Sequence, residues 1–444
     1  MKWKTLIGLL CLNLLMNAQP NWPLTKSNTT LQVALPAEFG VPYPQPLSVN
    51  GWEDGIHITR DGLNLYCIYL PADGLSWITN GSPCVFAPYQ KGPTFGMDLT
   101  TSPVTVCPTW LHGDILISSR TSTSVVFPTW SLSNLNAPIY SEGAPQSVML
   151  NSTTADLFVY TSNQLPPYKT DIYLAKNTSI NPSAVNSTIL PAPVTQTTTE
   201  DNPHIERLSA NNLVLFFDSP DIPGGTGGLD LWYSTSNDDG LTWIAPLQVS
   251  SLNSTANEHQ PHLYKDNLNQ WWIYYTAPDI SGKYAIYRAQ QTIANNWNSW
   301  GPKQLVVGPG NTAGIGEPTL TQNGDLSFVV IYQDSNGTAT DKFDADPWFL
   351  PHIVTSTVTE ITEHENKVDF FVSPNPASNE VIISIERTNE PKTIQFFNSL
   401  GELEKQVLIA ESSKIDISEL KAGIYFISTK NNPSLIKKLI KLNP

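Results

Sequence analysis

The sequence predicts an all-β protein: a six-bladed β-propeller, with five blades as the alternative, followed by a small C-terminal immunoglobulin-like β-sandwich. Three observations carry the prediction. Composition is the first: only 14% of the 444 residues are charged, while 36 prolines and 26 glycines supply turns and 40% hydrophobic residues supply cores. The second is an internal repeat of about 58 residues across residues 22–350. The third is a change of character near residue 369, where short alternating strands and tight turns begin.

The repeat is clearest at Pro145-Gln146-Ser147, Pro203-His204-Ile205, Pro261-His262-Leu263 and Pro318-Thr319-Leu320, whose prolines lie 58, 58 and 57 residues apart. Each is followed by an apolar run: Leu157–Tyr160, Leu213–Phe217, Trp271–Tyr275 and Leu326–Tyr332. Two weaker units precede them, Ile56-His57-Ile58 leading to Leu63–Leu70 and Pro108-Thr109-Trp110 leading to Ile115–Ser118. Third strands are read at Gly96–Leu99, Thr170–Tyr173, Gly228–Trp232 and Tyr284–Tyr287, and fourth strands begin at Trp243 and Trp300. One four-stranded blade cannot cover both of its faces, so such units stack around an axis, and ring closure removes exposed edges. Leu31–Leu35 is expected to complete the last blade from the N-terminal side.

The ends of the chain read as addresses. Lys2 and Lys4 precede the apolar stretch Leu6–Leu15, and Ala18 offers a cleavage site, so residues 1–18 are expected to be a signal peptide. No later run approaches the length of a membrane span. A formal charge of −15 argues against a nucleic-acid partner. In an oxidising compartment Cys84 and Cys107 are the favoured disulfide, with Cys67, inside an apolar run, a buried thiol.

At the other end, Val372–Pro376, Phe397–Gly401, Ile415–Ile427 and Lys437–Lys441 carry, in order, V-x-P-N-P, F-x-x-x-G, I-D-I-S-x-L-x-x-G-I-Y-F-I and K-K-L-I-K. Residues 369–444 thereby resemble the type A C-terminal sorting domain of the type IX secretion system. The resemblance implies export across the outer membrane, with the secretion machinery and its sortase as partners. It also implies cleavage in the Thr/Glu-rich linker, residues 351–368, leaving the cargo at the cell surface or outside the cell.

Within the repeat, the acidic–x–x–Pro–His pattern and Gly227-Gly228-Leu229-Asp230-Leu231 resemble TolB-like six-bladed propellers. Ser236, Asp238, Gly240, Thr242 and Trp243 match the S-x-D-x-G-x-T-W Asp-box of the sialidase superfamily. The box belongs in the hairpin between third and fourth strands, where it serves the fold and not catalysis. A sialidase itself is disfavoured, because the first-blade Arg-Ile-Pro motif is missing.

Candidate chemistry gathers at one repeat position. His57, His204 and His262 share it with Gln146, Thr109 and Thr319, and Glu53, Glu142, Glu200 and Glu258 stand four residues earlier in their units. If that position opens the innermost strand, these side chains and Glu317 surround one mouth of the channel as a ligand-binding set, with His259 and Asp201 beside them. The competing reading is structural: recurring residues serve the neighbouring blade as hydrogen-bond partners. No cofactor and no metal is expected; Asp341, Asp344 and Asp346 offer carboxylates for calcium but lack a calcium loop's spacing. Trp271-Trp272, Tyr274-Tyr275, Trp297 and Trp300 are read chiefly as packing, with sugar stacking as the alternative.

These features favour a binding module for a glycan, a peptide or another envelope protein. The alternative is a glycoside hydrolase using paired carboxylates at the mouth, for which Glu53, Asp54, Glu142 and Glu317 are placed suitably. A structural or adhesive surface role comes third. Two carboxylates facing each other across an open, aromatic-lined cleft favour the enzyme; a plugged channel, with those acids tied to backbone amides, favours binding or scaffolding.

Overall fold

The computed structural model describes residues 19–97, 113–137, 139–353, 370–385, 391–398, 401–410, 412–430 and 432–442. The expected signal peptide, Cys107 and nearly all of the expected linker lie outside them. The chain divides into two compact units, before and after residue 355.

Among the described residues the first unit's strands group into five four-stranded antiparallel sets, here called sheets, of which the fifth and first are joined by one parallel pair, Ala345 with Trp52. Sheet 1 is built from Trp52–Ile58, Asn64–Leu70, Asp114–Ser119 and Ser131–Leu132; sheet 2 from Glu142–Asn151, Thr154–Ser162, Asp171–Ser179 and Ser187–Ile189. Sheet 3 is Asp201–Arg207, Leu213–Ser219, Asp230–Ser236 and Leu247–Gln248; sheet 4 is His259–Lys265, Trp271–Pro278, Tyr284–Gln290 and Gln304–Gly308. Sheet 5 takes Gly314–Leu320, Leu326–Gln333 and Phe343–Leu350 from its own stretch and Tyr43–Pro44 from near the N-terminus. The first strand of each sheet packs against the first strands of the sheets on either side, and sheet 5 returns to sheet 1. The result is a closed, propeller-like ring.

Among the described residues these four-stranded sets number five, the count that the sequence allowed beside six. Ile115–Ser118, read as the apolar strand of a separate second unit, belongs to the third strand of sheet 1, where Leu65 to Tyr69 pair with it. Gly96 lies in a turn, not in that third strand. A long connection between Leu70 and Asp114 had imitated a repeat. It holds a short helix, Gly74–Thr79, capped by Asp73, whose carboxylate accepts the Ser76 amide at 2.9 Å. Cys84, in the same connection, is disulfide-bonded, and Cys67 is free and buried.

The N-terminal segment also differs from expectation. Gln32–Val33 adds a fifth strand to the edge of sheet 4, and Tyr43–Pro44, not Leu31–Leu35, completes sheet 5. Lys26 fastens this strap, reaching Asp344 at 2.7 Å and Asp346 at 2.8 Å, while Lys91 reaches Asp344 at 3.0 Å and Asp341 at 3.3 Å. The three aspartates considered for calcium are therefore neutralised by lysines.

Between the sheets lie apolar layers. One joins Leu157, Val159, Leu213, Leu215 and Phe217 to Trp243, at the end of the turn from Ser236. That turn sits between the third and fourth strands of sheet 3. The Asp238 carboxylate accepts the Thr242 amide at 2.9 Å and the Ser236 and Thr242 hydroxyls, and Gly240 donates to Ser236 Oγ at 2.8 Å.

The second unit is a pair of antiparallel sheets around one core. Phe370–Ser373, Glu380–Ile385 and Ser413–Asp416 form one sheet, and Leu403–Ile409, Lys392–Phe397, Gly423–Thr429 and Asn432–Lys441 the other. Phe370, Val381, Ile383, Phe396, Ile417 and Ile427 are buried between them.

Candidate functional site at the channel mouth

Every first strand of the ring carries the same irregularity. Register shifts fall between Asp54 and His57, Gly143 and Gln146, Asp201 and His204, His259 and His262, and Gly316 and Thr319. In each, one residue takes a left-handed backbone: Gly55 (φ 52°), Ala144 (45°), Asn202 (50°), Gln260 (57°) and Glu317 (58°). Such a bulge turns an extra side chain out of the ladder, and these five residues line the channel together with the proline or isoleucine that follows and the repeat position itself. Four of the five have a Cβ in a conformation that disfavours one, a cost of the kind that collects at functional sites.

The repeat position closes the channel. The Ser147 amide donates to His57 Nε2 at 3.2 Å, the Ile205 amide to Gln146 Oε1 at 3.0 Å, the Leu320 amide to His262 Nε2 at 3.1 Å and the Ile58 amide to Thr319 Oγ1 at 3.3 Å. Each side chain thus accepts from the first strand of the next sheet. His204 departs from the pattern: its Nε2 meets Glu206 at 3.1 Å, and its ring lies edge-on to His262 with centroids 4.3 Å apart. Burial pushes all three histidines below the ordinary imidazole pKa; His57 and His262 accept through Nε2, whereas His204 Nε2 donates to the Glu206 carboxylate. The remaining space is about 30 Å³, room for about one water, so ligands are confined to the ends.

The glutamates expected beside these histidines face elsewhere. Glu53 accepts from the Val49 amide at 3.3 Å and from Trp130 Nε1 at 2.5 Å; Glu142 accepts from the Ala137 amide and Ser162 Oγ, both at 2.9 Å. Glu258 accepts from the Ser254 amide at 2.7 Å, and Glu200 from the Thr198 hydroxyl. All four are buried, fasten the loop entering their own sheet and do not line the channel.

A different acidic set occupies the mouth. Asp54 of sheet 1 and Glu317 of sheet 5 are hydrogen-bonded to each other. Asp54 Oδ2 also accepts from Trp52 Nε1 at 2.9 Å, and Glu317 accepts from the Gln260 amide group. In sheet 3, Asp201 is registered opposite Asp218 of the second strand. Asp218 Oδ2 accepts from the Gln260 backbone at 2.8 Å and from Asn202 Nδ2 at 2.9 Å, and Asp201 accepts from the Asn202 amide at 2.9 Å. Asp218 and Asp201 both raise the Glu317 carboxyl, so the two carboxyl pairs lie within electrostatic reach of each other.

Burial raises all four carboxyl groups, joined by neighbouring acids at Asp201, Asp218 and Glu317. Burial, then Asp54, Asp218 and Asp201, pushes the Glu317 carboxyl well above the ordinary range, and Asp54 and Asp201 are raised mainly by burial. Burial and then Asp201 push Asp218 up to about 8. Both members of the Asp54–Glu317 pair are thus raised, Glu317 by burial first and by its three acidic neighbours after it. His259, in the strand position of Asp54 and Asp201, is driven down to about 4 by burial and leaves its Nε2 unpartnered, with its ring edge-on to Tyr284 at 4.7 Å.

The other side of the mouth is apolar and tight. Ile68 packs where a Cβ on Gly55, Gly113 or Gly143 would fall, at 2.8, 2.7 and 2.8 Å. Among the described residues no cluster of three or more His, Cys, Asp or Glu side chains is spaced to hold a metal ion. Asp54, Asp201 and Glu317 were visible in the sequence as acids near strand starts. Asp218, one residue before the end of a hydrophobic second strand, gave no such signal.

Residues 372–442 match the family described as a secretion system C-terminal sorting domain. No curated protein sequence matches the chain. Among solved structures it is similar to the catalytic domain of an α-L-arabinofuranosidase from Coprinopsis cinerea, at 10% identity over 68% of this chain and 91% of that one, TM-score 0.40. It is similar also to an α-L-arabinofuranosidase from Lactobacillus brevis, at 10% identity over 69% and 92%, TM-score 0.40. A third likeness is to an endo-arabinase from Bacteroides thetaiotaomicron, at 12% identity over 68% and 95%, TM-score 0.40. Likeness at this level says nothing of the chemistry at the mouth. The C-terminal match, by contrast, is specific: the protein carries a secretion-system sorting domain and is exported by type IX secretion to the cell surface or the extracellular space.

Proposed function

We propose that the first unit is a five-bladed propeller that hydrolyses glycosidic bonds of a neutral glycan at its acidic mouth. The observation that carries this reading is the Asp54–Glu317 pair, two hydrogen-bonded acids whose Glu317 carboxyl is raised by burial and then by Asp54, Asp218 and Asp201. Glycoside hydrolysis is a reaction that two carboxyl groups can perform without metal, cofactor or a separate nucleophile. The fold itself does not need acids there, since Gly143 and Gly316 occupy the strand position of Asp54 and Asp201 in sheets 2 and 5. Clustered, self-repelling acids favour this alternative over the binding module that composition alone suggested. An anionic substrate is disfavoured by the same charge.

In this reading Glu317 gives its proton to the glycosidic oxygen as the bond from that oxygen to the anomeric carbon breaks. Asp201 takes a proton from the water whose oxygen bonds to the same carbon. Asp54 holds the Glu317 proton in place before substrate arrives, and the neutral Asp218 steadies the Asp201 charge. The test is a hydrolysis screen of the full chain on neutral polysaccharides, repeated with Glu317→Gln and Asp201→Asn. Loss of a general acid or base costs about 10²–10⁴-fold in rate. Cleavage of no neutral glycan, or full activity in either variant, would end the reading.

A further inference from the structure

The geometry points to a second, non-catalytic site for a neutral polysaccharide on the opposite face of the ring, built on Trp271 and Trp272. The turns that follow the first strands, at residues 59–63, 152–153, 208–212, 266–270 and 321–325, all emerge on that face. The closed channel separates it from the acidic mouth, so the site shares only its ligand class with the proposed hydrolase and none of its residues.

Trp271 and Trp272 are successive residues of one strand, so their indoles lie on opposite faces of sheet 4. Both are half-buried, whereas Tyr275, Trp297 and Trp300, which share the sheet's packing layers, are buried. Each indole lines its own cavity: about 420 Å³ beside Trp271 and about 260 Å³ beside Trp272. Exposed Gln322 borders both, and exposed Asn323 borders the second, so one turn joins the two hollows.

The guanidinium groups along this groove are already paired, and Lys265, which also lines the Trp271 cavity, lies over the Trp271 ring at 5.4 Å. Arg60 holds Glu206 at 2.6 Å, Arg288 holds Glu38 through both terminal nitrogens at 2.7 and 2.8 Å, and Arg207 holds Asp156. An anion would have to displace a carboxylate from each guanidinium. A neutral polyol would not: it can use the outward donors and acceptors of the pairs and the two exposed amides. Arg288 is stacked over Trp272 at 4.5 Å, fixing the indole's orientation. Aromatic platforms flanked by a few fixed polar groups are what pyranose or furanose rings bind, through their C–H faces and hydroxyl edges.

The experiment is affinity electrophoresis of the full chain carrying Glu317→Gln through gels holding soluble arabinoxylan, galactomannan or mixed-linkage β-glucan. Retardation by at least one polymer is expected, with affinity weakened about tenfold when Trp271→Ala is added, the equivalent of one aromatic platform. Gln322→Ala with Asn323→Ala, both on an exposed turn, should weaken it without touching a core. Retardation by none of the polymers, or retardation indifferent to both sets of changes, overturns the site. So does retardation abolished by Asp201→Asn at the mouth. Because the readout is binding by a chain disabled at Glu317, it stands or falls separately from hydrolysis.

Discussion

Two layers of polar side chains line the same five strands a few residues apart, and they behave in opposite ways. In the layer of His57, Gln146, His262 and Thr319, every side chain accepts a backbone N–H from the adjoining sheet. In the layer of Asp54, Asp201 and Glu317, with Asp218 beside them, acid lies near acid and burial holds each above its ordinary pKa. The first layer closes the ring; the second opposes its own folding and is retained despite that. A repeat makes both, so recurrence alone does not separate structure from chemistry. Whether each polar group has found a partner that lowers its free energy does separate them.

The largest expected effect breaks the second layer. Glu317→Gln should remove the proton donor and lower glycan hydrolysis by about 10²–10⁴-fold. Its melting temperature near pH 7 should stay level or rise, because an amide needs no proton to sit beside Asp54. A drop of more than a few degrees with proportionate loss of activity would show that Glu317 holds the mouth together instead. The matching change in the first layer is His262→Ala, which leaves the buried Leu320 amide without an acceptor. A stranded donor costs about 1–3 kcal/mol, read as a lower midpoint in urea, while activity per folded molecule is unchanged. Sheet 2 supplies the control: Gln146 does the same task as His262, so His262→Gln should recover most of the loss.

The repeat was legible because it is enforced by backbone geometry. The Pro145, Pro203, Pro261 and Pro318 spacing marks the bulge in sheets 2 to 5, and the strands after it followed their apolar runs. Ile115–Ser118 does not begin a unit of its own, because it pairs with Leu65–Ile68 of sheet 1. The mouth was legible only in part. Glu53, Glu142, Glu200 and Glu258 recur at a fixed offset and so drew attention, yet they recur because each fastens its own loop. Asp54, Asp201 and Glu317 sit at or beside the bulge, and a bulge redirects side chains in a way that strict alternation cannot anticipate. Asp218 becomes part of the site only through pairing with Asp201 across strands.

The pH dependence of stability sharpens the same contrast, with a smaller effect. Asp218 is raised from 3.8 to about 8 in the folded chain, by burial first and Asp201 second. A carboxyl raised on folding binds its proton more tightly in the native state. Its contribution is therefore fully present below the unfolded pKa and is lost as pH rises through the folded one. Glu142, raised to about 7, and Glu200, raised to about 8, act in the same direction. The melting temperature of the first unit should therefore decline from about pH 4–5 toward pH 8–9, read by calorimetry of the full chain as the transition that follows this trend. Asp218→Asn should flatten the decline by a few degrees, since the amide keeps an oxygen for the Gln260 N–H and has no proton to lose. His262→Gln should lower the curve without changing its slope, because a neutral imidazole with its pKa pushed well below 6.5 does not titrate across that window. Equal slopes in wild type and Asp218→Asn would mean that the mouth carboxyls are ionised and solvated in the folded protein, and the self-opposed layer would lose its distinction from the stitched one.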